Sequence, residues 1–233
     1  MLVLMKLPTA WGIRNASAFN LKAEALLKMS GLSYDVVEAM PQKGPKGKMP
    51  ALVDGEKVIG DSSLIQRHLE TVHGVAFDEG LTPRDQADAM AYRKMAEEWL
   101  YFINLYVRWI VKPEITRDAF FGAIPWPMRG WIFAKLRRDV RRALRGQGLG
   151  RHSEKEIYAF GIEALDTLAA RLADGPFFFG AQIRSIDAAL YPQIVNVTDA
   201  PYDTPLREHA QKLTRLTTYV QRCDEAIFKD API

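Results

Sequence analysis

The order of strand and helix signals in the first third of the chain constrains the fold more than any other feature. The segment LVLMKL at residues 2–7 is apolar and of strand length, and SYDVVEA at residues 33–39 reads as a second strand. Between them, apolar residues recur at helical spacing over residues 17–30. A strand–helix–strand order in one sheet requires a parallel pair joined by a right-handed crossover.

A hairpin and a second helix follow. ALVD at residues 51–54 and KVI at residues 57–59 flank Gly55-Glu56, which suits a hairpin turn. From Ser62 onward, apolar residues again recur at helical spacing, up to Gly74. The sequence therefore predicts a small α/β layer of four strands, with helices packed on the sheet.

The remaining two thirds of the chain carry helical patterns and no comparable strand pattern. The linker expected between the two parts is residues 75–83. The expected helices are residues 84–110, 127–145, 153–173 and 206–228, with another that begins near Ser185 and meets Pro192. We therefore predict an α/β domain at residues 1–76 and an all-helical domain at residues 83–233.

Composition favours a cytoplasmic protein without membrane insertion. No apolar run approaches the roughly 18 residues of a membrane-spanning helix, and the start of the chain lacks the pattern of a signal peptide. The single cysteine, Cys223, excludes an internal disulfide and fits a reducing compartment. A net charge of +3 is too small to indicate a polyanionic partner.

Met49-Pro50, just before the third strand, has two interpretations. Pro50 is either an ordinary strand-initiating proline or a cis proline, since cis peptide bonds are essentially confined to X-Pro. A cis bond would leave the backbone N–H and C=O of Met49 free to pair with a peptide ligand, as an added strand would.

Asp61-Ser62, at the start of the second helix, also has two interpretations. Both residue types are favoured helix caps. The free N–H groups at a helix start also bind a carboxylate, and the adjacent acid is suited to hold an ammonium group. One site would then recognise both ends of an α-amino acid head.

The order and spacing of these motifs resemble the glutathione transferase family. The shared features are KMPAL at residues 48–52, the hairpin, and a helix that opens with Asp61-Ser62. The resemblance implies a thioredoxin-like first domain with Pro50 in cis, an all-helical second domain, and glutathione as the bound substrate.

The resemblance also implies residue roles. Met49 pairs with the cysteinyl backbone of glutathione, and Asp61 and Ser62 hold its γ-glutamyl group. Lys48 binds the glycyl carboxylate, with Lys46 as a second, weaker candidate.

Further segments narrow the resemblance to the branch that contains the failed-axon-connections and metaxin-like proteins. They are SAFNLK at residues 17–22, PKGK at residues 45–48, QGLGRHS at residues 147–153 and PFFFG at residues 176–180. This branch implies an alternative to catalysis, namely a non-catalytic binding or adaptor protein that keeps the fold.

Ser17 is the candidate catalytic residue. It stands where relatives carry Ser or Cys, which implies a hydrogen bond to the glutathione thiolate, although a plain helix N-cap explains it too. Ala18 and Asn20 depart from the proline and cysteine that are frequent in relatives, so reduction chemistry through an enzyme thiol is not expected.

Aromatic residues supply candidates for the electrophile pocket. Trp11 and Arg14 lie in the loop before Ser17, and Trp11 either forms a wall of this pocket or packs on its own chain. A second set is expected to be mainly core, with one or two members lining the pocket: Trp99, Tyr106, Trp109, Trp126 and Trp131.

Several other features are interpreted as structural. The basic stretch at residues 137–145 is expected to be a solvated helix face, and without stacking aromatics it does not indicate nucleic acid. Asp187, near the start of its helix, is expected to be a folding residue without a catalytic role. Arg184 stands where the family usually has Ser or Thr, so Ser185 or a backbone group is expected to supply the helix cap instead. No metal is expected, because the four histidines lack ligand spacing: His68, His73, His152 and His209.

The sequence thus predicts a homodimeric glutathione transferase that conjugates glutathione to an apolar electrophile, with a role in detoxification by resemblance. The alternatives are the non-catalytic adaptor and a glutathione-dependent peroxidase that uses the bound thiolate.

Overall fold

A four-stranded mixed sheet forms the first part of the chain. The structure is a computed structural model that describes residues 1–172 and 175–229. The strands are β1 (Leu2–Lys6), β2 (Tyr34–Glu38), β3 (Ala51–Asp54) and β4 (Lys57–Gly60), in the spatial order β2-β1-β3-β4. β1 and β2 are parallel, and β3 is antiparallel to both β1 and β4. The predicted parallel pair and hairpin are confirmed.

Two helices complete this part, and both end where the sequence indicates. α1 (Ala18–Ser30) connects β1 to β2 and ends at Gly31, whose φ of 68° is the left-handed conformation that glycine adopts most easily. α2 (Ser62–His73) follows β4 and ends at Gly74, with a φ of 69°. α1 therefore makes the predicted crossover, and the sheet gains helices packed on it.

The second part of the described chain is helical. It begins with one long helix that contains two π-helical segments: α3 (Pro83–Lys94), Met95–Leu100, α4 (Tyr101–Tyr106) and Val107–Val111. The further helices are α5 (Pro113–Phe121), α6 (Met128–Gln147), α7 (Glu154–Arg171), α8 (Ser185–Thr198), α9 (Pro205–Lys212) and α10 (Thr214–Phe228). None of the helices in the described chain combines the length and the apolarity that a membrane span requires.

The two π-helical segments are wide turns inside an otherwise regular helix. The Tyr101 N–H donates to the Ala96 carbonyl, and the Lys112 N–H donates to the Val107 carbonyl at 2.9 Å, each five residues back. A turn of this kind holds one residue more than an α-helical turn and shifts the residues after it around the helix. Apolar periodicity predicted the extent of this helix but not its wide turns.

One expected helix is divided, one helix was not predicted, and the expected end of a third lies outside the described residues. Residues 206–228 form α9 and α10, because Leu213 leaves the helical region with a ψ of 81°, and no Gly or Pro marks that break. α5 was not predicted, although Pro113 at its first turn is a start signal. α7 ends at Arg171, and Ala173, the last residue of the predicted helix, lies outside the described residues.

One apolar core runs through both parts of the chain. α8 is buried along its whole length, and α1 packs against it, with Leu21 and Leu26 of α1 and Leu190 and Ile194 of α8 all inaccessible to solvent. The sheet-bearing part thus rests on the centre of the helical part.

Two of the aromatic residues expected in the core lie at the surface instead. Trp126 is 81% exposed and Trp131 is 69% exposed, at the start of α6. Trp99 and Trp109 do pack on other rings, namely those of Phe160 and Phe133. Helical spacing alone did not separate the two groups, because α6 turns a face that carries Trp131 to solvent.

Asp187 has the structural role expected of it. Its carboxylate accepts hydrogen bonds from the Arg184 N–H at 2.8 Å, the Phe178 N–H at 3.1 Å and the Tyr219 hydroxyl at 2.9 Å. Burial raises the pKa of Asp187 to about 6, against the opposing effect of these donors. Ser185, one of the expected capping groups, bonds instead to Asp78 through both its N–H and its hydroxyl.

Candidate functional site

The cis-proline loop and the start of α2 meet in one place. The Met49–Pro50 peptide bond is cis, as the resemblance implies. The Asp61 N–H donates to the Pro50 carbonyl at 3.3 Å, and Ala51 lies opposite Gly60 in the β3–β4 ladder. The two motifs that the sequence shows eleven residues apart, Pro50 and Asp61, are therefore hydrogen-bonded neighbours.

Met49 has a buried side chain and a backbone that is available for hydrogen bonding. The side chain is 9% exposed and belongs to a small apolar cluster with Ala39 and Ala51. Within the described chain, neither its N–H nor its C=O bonds to another backbone group. An extended peptide that approaches this residue therefore finds one donor and one acceptor to pair with.

A basic turn lies next to the same place. A Cβ on Gly60 would lie 2.6 Å from Cγ of Pro45, so the turn after Pro45 rests directly on the end of β4. Lys46 and Lys48 in this turn are both exposed. The turn thus presents two ammonium groups close to the start of α2.

Asp61 and Ser62 occupy the two positions at which α2 begins. Asp61 is the N-cap: its carboxylate accepts a hydrogen bond from the Ser63 N–H at 2.8 Å, and its φ is 90°. Asp61 is exposed, whereas Ser62 is only 3% exposed. The capping interpretation is confirmed, and the exposed carboxylate is positioned to meet a cation from solvent.

A buried ion pair behind α2 is a feature that the sequence interpretation missed. The Lys22 ammonium donates to Glu97 Oε1 at 2.6 Å and to Ser63 Oγ at 3.0 Å, and its side chain is 1% exposed. Burial lowers the pKa of Lys22, and Glu97 opposes this effect. A lysine between the buried Leu21 and Ala23 on α1 is the sequence signal that indicates such a pair.

Ser17 is the N-cap of α1. Its Oγ accepts a hydrogen bond from the Asn20 N–H at 3.4 Å, and its own N–H donates to Asn15 Oδ1 at 2.9 Å. Asn15 is fully buried and anchored to the Leu7 carbonyl at 2.9 Å. The Ser17 hydroxyl proton has no acceptor among the described residues, so it is available to a ligand.

Trp11 packs against the helical part of its own chain. Its ring makes edge contacts with Phe120 and Tyr202 at centroid distances of 5.1 and 5.2 Å. The Arg108 guanidinium lies over the same ring at 5.0 Å. Trp11 thus joins the loop before Ser17 to α5 and to the segment that follows α8.

Two arginines fix the loop that carries Ser17. Arg108 donates to the carbonyl of Ala16 and to Asn196 Oδ1, and burial lowers its pKa. Arg14 forms a two-pronged ion pair with Asp224 of α10, with its Nη2 at 2.8 Å. The guanidinium of Arg14 is therefore engaged with α10, which removes the basis for expecting it over a thiol.

The histidines do form one group with metal-ligand character, contrary to the expectation from spacing. Nε2 of His68 and Nε2 of His73 each lie 2.8 Å from the same oxygen, Oδ2 of Asp54. The separation of five residues brings both imidazoles to one side because His73 is the last residue of α2.

A cavity of about 590 Å³ lies away from Ser17. Its lining includes Lys28 at the end of α1, Phe77 in the linker and Ile183 before α8. Lys28 is eleven residues beyond Ser17, or about 16 Å along the helix axis. This cavity is therefore distinct from the electrophile pocket expected beside Ser17.

The fold and this site define a class of protein: a thioredoxin-like domain with a cis proline before β3, followed by an all-helical domain. Family models identify it further. Residues 18–115 match the model of the glutathione S-transferase N-terminal domain, and residues 161–223 match that of the glutathione S-transferase C-terminal domain. The chain belongs to the glutathione S-transferase family.

Individual relatives include both enzymes and metaxins. The isoprene-epoxide–glutathione S-transferase of Rhodococcus sp. (strain AD45) is 29% identical over 226 residues, which cover 91% of this chain and 93% of the relative. Metaxin-2 of Homo sapiens is 23% identical over 220 residues, covering 92% and 83%. The crystal structure of the beta-etherase LigF from Sphingobium sp. strain SYK-6 superposes with a TM-score of 0.64 at 18% identity, covering 99% of each chain, and supports the fold.

Proposed function

We propose that this protein binds glutathione and transfers it to a small apolar electrophile. The observation that carries the proposal is the junction of the cis-proline loop with α2, where the unpaired backbone of Met49 lies beside the exposed carboxylate of Asp61. A γ-glutamyl peptide has the matching groups: an extended cysteinyl backbone, an ammonium group and two carboxylates.

Affinity comes from four contacts at this junction. Met49 pairs with the cysteinyl backbone, while Asp61 accepts from the ammonium group of the γ-glutamyl residue. The N–H groups at the start of α2, beginning with Ser62, receive the adjacent carboxylate. Lys48, with Lys46 beside it, binds the glycyl carboxylate, because both ammonium groups are exposed on the turn that rests on Gly60.

Activation comes from Ser17, which donates its hydroxyl proton to the glutathione sulfur. The thiolate is the reactive form, so a donor that stabilises it lowers the thiol pKa. A hydrogen bond to a charged acceptor contributes about 1.5–3 kcal/mol, which corresponds to about one to two pKa units. The positive end of the α1 dipole acts in the same direction.

The thiolate then attacks the electrophile, and its sulfur forms the new bond. The name of the Rhodococcus relative supports an epoxide as the first substrate to try. With an epoxide, attack on a ring carbon opens the ring, and the alkoxide formed takes a proton. Trp11 and the aromatic rings around it provide an apolar wall for such a substrate.

Replacement of Ser17 by Ala tests activation separately from binding. We expect glutathione affinity to stay nearly unchanged, because Met49 and the start of α2 supply it, while the pKa of the bound thiol rises by about one to two units. The measurement is the thiolate absorbance of the complex against pH, with the ligand-free protein subtracted. Ser30→Ala, at the other end of α1, is the matched control. An unshifted titration in Ser17→Ala assigns activation to another donor.

Replacement of Asp61 by Asn tests the ammonium contact without removing the helix cap. Asn is also a favoured N-cap and tolerates the positive φ at this position, so α2 is retained while the negative charge is lost. We expect glutathione affinity to fall about 10- to 100-fold, the equivalent of one charge-assisted hydrogen bond. Isothermal titration calorimetry measures it, with Asp35→Asn on the exposed strand β2 as control. Equal affinity in both variants contradicts the γ-glutamyl assignment.

A second candidate is a non-catalytic member of the fold that binds a partner. The match to Metaxin-2 and the departures at Ala18 and Asn20 favour it. Two results for the wild-type protein support this candidate: it does not bind glutathione, or it binds glutathione without forming the thiolate at neutral pH. Turnover of a hydroperoxide with glutathione and none of an epoxide supports the peroxidase instead.

We also propose, by resemblance to the family, that the protein is a cytoplasmic homodimer. Light scattering on the purified protein measures its mass in solution and so tests the dimer.

A further inference from the structure

Two imidazoles and one carboxylate converge at the far end of β3 from the cis proline. Asp54 is the last residue of β3, and His68 and His73 lie on α2, which packs over the sheet. Both Nε2 atoms are 2.8 Å from Asp54 Oδ2, and the imidazole rings meet edge to face at a centroid distance of 5.6 Å. The proposed glutathione contacts are at Met49 and the start of α2, so this cluster is a separate place.

We propose that Asp54, His68 and His73 bind a divalent transition-metal ion of the zinc type, with solvent in the fourth position. Two neutral imidazoles and a carboxylate are a common ligand set for Zn²⁺ with an open coordination site. The three candidate ligand atoms all lie within 4.8 Å of one another.

The present distances between the candidate ligand atoms require only a small adjustment to admit an ion. Tetrahedral Zn²⁺ holds N and O ligands at about 2.0–2.1 Å, which separates neighbouring ligand atoms by about 3.3 Å. The present 2.8 Å contacts therefore need to open by about 0.5 Å to admit the ion. In the bound state the ring proton of each imidazole resides on Nδ1, so that Nε2 faces the ion.

The cluster is partly open to solvent, which provides access for the ion. The side chains of His68, Asp54 and His73 are 10%, 22% and 24% exposed. A bound ion would join the end of β3 to the end of α2, directly before the linker to the helical part. We therefore expect it to stabilise the first part of the chain, by linkage between binding and folding.

Cobalt titration of the full chain tests the proposal, because tetrahedral Co²⁺ absorbs visible light far more strongly than octahedral aqueous Co²⁺ does. The protein carries no affinity tag and is treated with chelator beforehand, and glutathione is absent, so that the result is independent of the proposed transferase function. We expect one equivalent to bind with tetrahedral bands, Zn²⁺ to displace it, and Zn²⁺ to raise the melting temperature.

The matched variants are His73→Gln and His209→Gln. His209 forms a pair with Asp166 at 2.6 Å and has no third ligand in the described chain, so it provides a histidine–carboxylate contact without a complete site. We expect His73→Gln to weaken Co²⁺ binding at least tenfold and to abolish the thermal shift, and His209→Gln to leave both unchanged. Asp54→Asn repeats the test from the strand side.

Two results overturn the proposal. The first is the absence of saturable Co²⁺ or Zn²⁺ binding by the wild type up to millimolar metal, which needs no variant and holds whatever the folding of the substituted chains. The second is binding of equal strength in His73→Gln and wild type, which marks adventitious ions elsewhere on the surface.

Discussion

At the scale of single residues, the charged groups buried in this protein are held by specific partners. Asp187 is inaccessible to solvent and accepts two backbone N–H groups and one hydroxyl. Because burial outweighs these donors, the pKa of Asp187 rises to about 6, so the folded state holds this proton to a higher pH than the unfolded chain does. The residue fixes the start of α8 but carries a cost that depends on pH.

The raised pKa of Asp187 predicts a pH-dependent effect of Asp187→Asn. Between about pH 4 and 6 the folded wild type holds a proton that the unfolded chain, with a carboxyl pKa near 3.9, has released. Wild-type stability from this group therefore falls as pH rises through that window. Asn does not titrate, so the cost of the substitution should shrink by about 2–3 kcal/mol from pH 4 to pH 6.5. Urea unfolding of both proteins measures it, and a constant cost contradicts the assignment.

At the scale of elements, the site depends on a loop pressed against a strand end. The turn that carries Lys46 and Lys48 touches Gly60, the last residue of β4, through Pro45. There is no room for a methyl group at Gly60 unless the turn moves. The position of both lysines is thus set by the absence of a side chain on the strand.

Gly60→Ala should displace this turn. We expect a loss of about 1–3 kcal/mol of stability from the forced contact, together with weaker glutathione binding as Lys46 and Lys48 move. Gly130→Ala is the control, because a Cβ at Gly130 in α6 meets nothing within 4 Å and Ala favours a helix. Calorimetry and urea unfolding report the two effects. Unchanged glutathione affinity in Gly60→Ala contradicts the role given to the turn.

The sequence predicted those elements that local chemistry specifies. Gly31, Gly74 and the Gly55-Glu56 turn mark their own element ends, so the sheet, α1 and α2 were read correctly. Periodicity did not reveal the break at Leu213, where no residue type opposes a helix. It also failed for Trp126 and Trp131, since the exposure of an aromatic residue depends on what packs over it.

For the candidate site, the sequence predicted the motifs but not the ion pairs that hold them in place. Arg14 and Asp224 are 210 residues apart, and Lys22 and Glu97 are 75 apart. No local pattern indicates which charge meets which over such distances. The Asp54 cluster was missed for a related reason, because one of its residues comes from a strand and the other two from the helix packed on that strand.

At the scale of the whole molecule, the two parts of the chain are packed together. A single core extends through α1 and α8, and charged contacts join the parts at Arg14–Asp224, Lys22–Glu97 and Arg108–Ala16. Separating the two parts would expose apolar surface and leave buried charges without their partners. Unfolding one part alone therefore has a high free-energy cost.

We therefore expect one unfolding transition. Far-UV circular dichroism and tryptophan fluorescence should give the same urea midpoint, since four of the five tryptophans report on the helical part and dichroism reports on both. Lys22→Met should lower the urea midpoint of both signals together, because Glu97 is left buried without its cation. The expected loss in the free energy of unfolding is about 3–5 kcal/mol. Two resolved transitions would show that the parts unfold independently.

The two wide turns of the long helix coincide with two of these cross-contacts: Glu97 lies in the first, and Arg108 in the second. Each wide turn accommodates one residue beyond the α-helical count, so a single inserted residue fits there without breaking the helix. Homologous chains that lack these charges should therefore differ by single-residue gaps at these two points. An alignment that keeps helices free of gaps would then place the residues after the first wide turn one position out of register, and those after the second two positions.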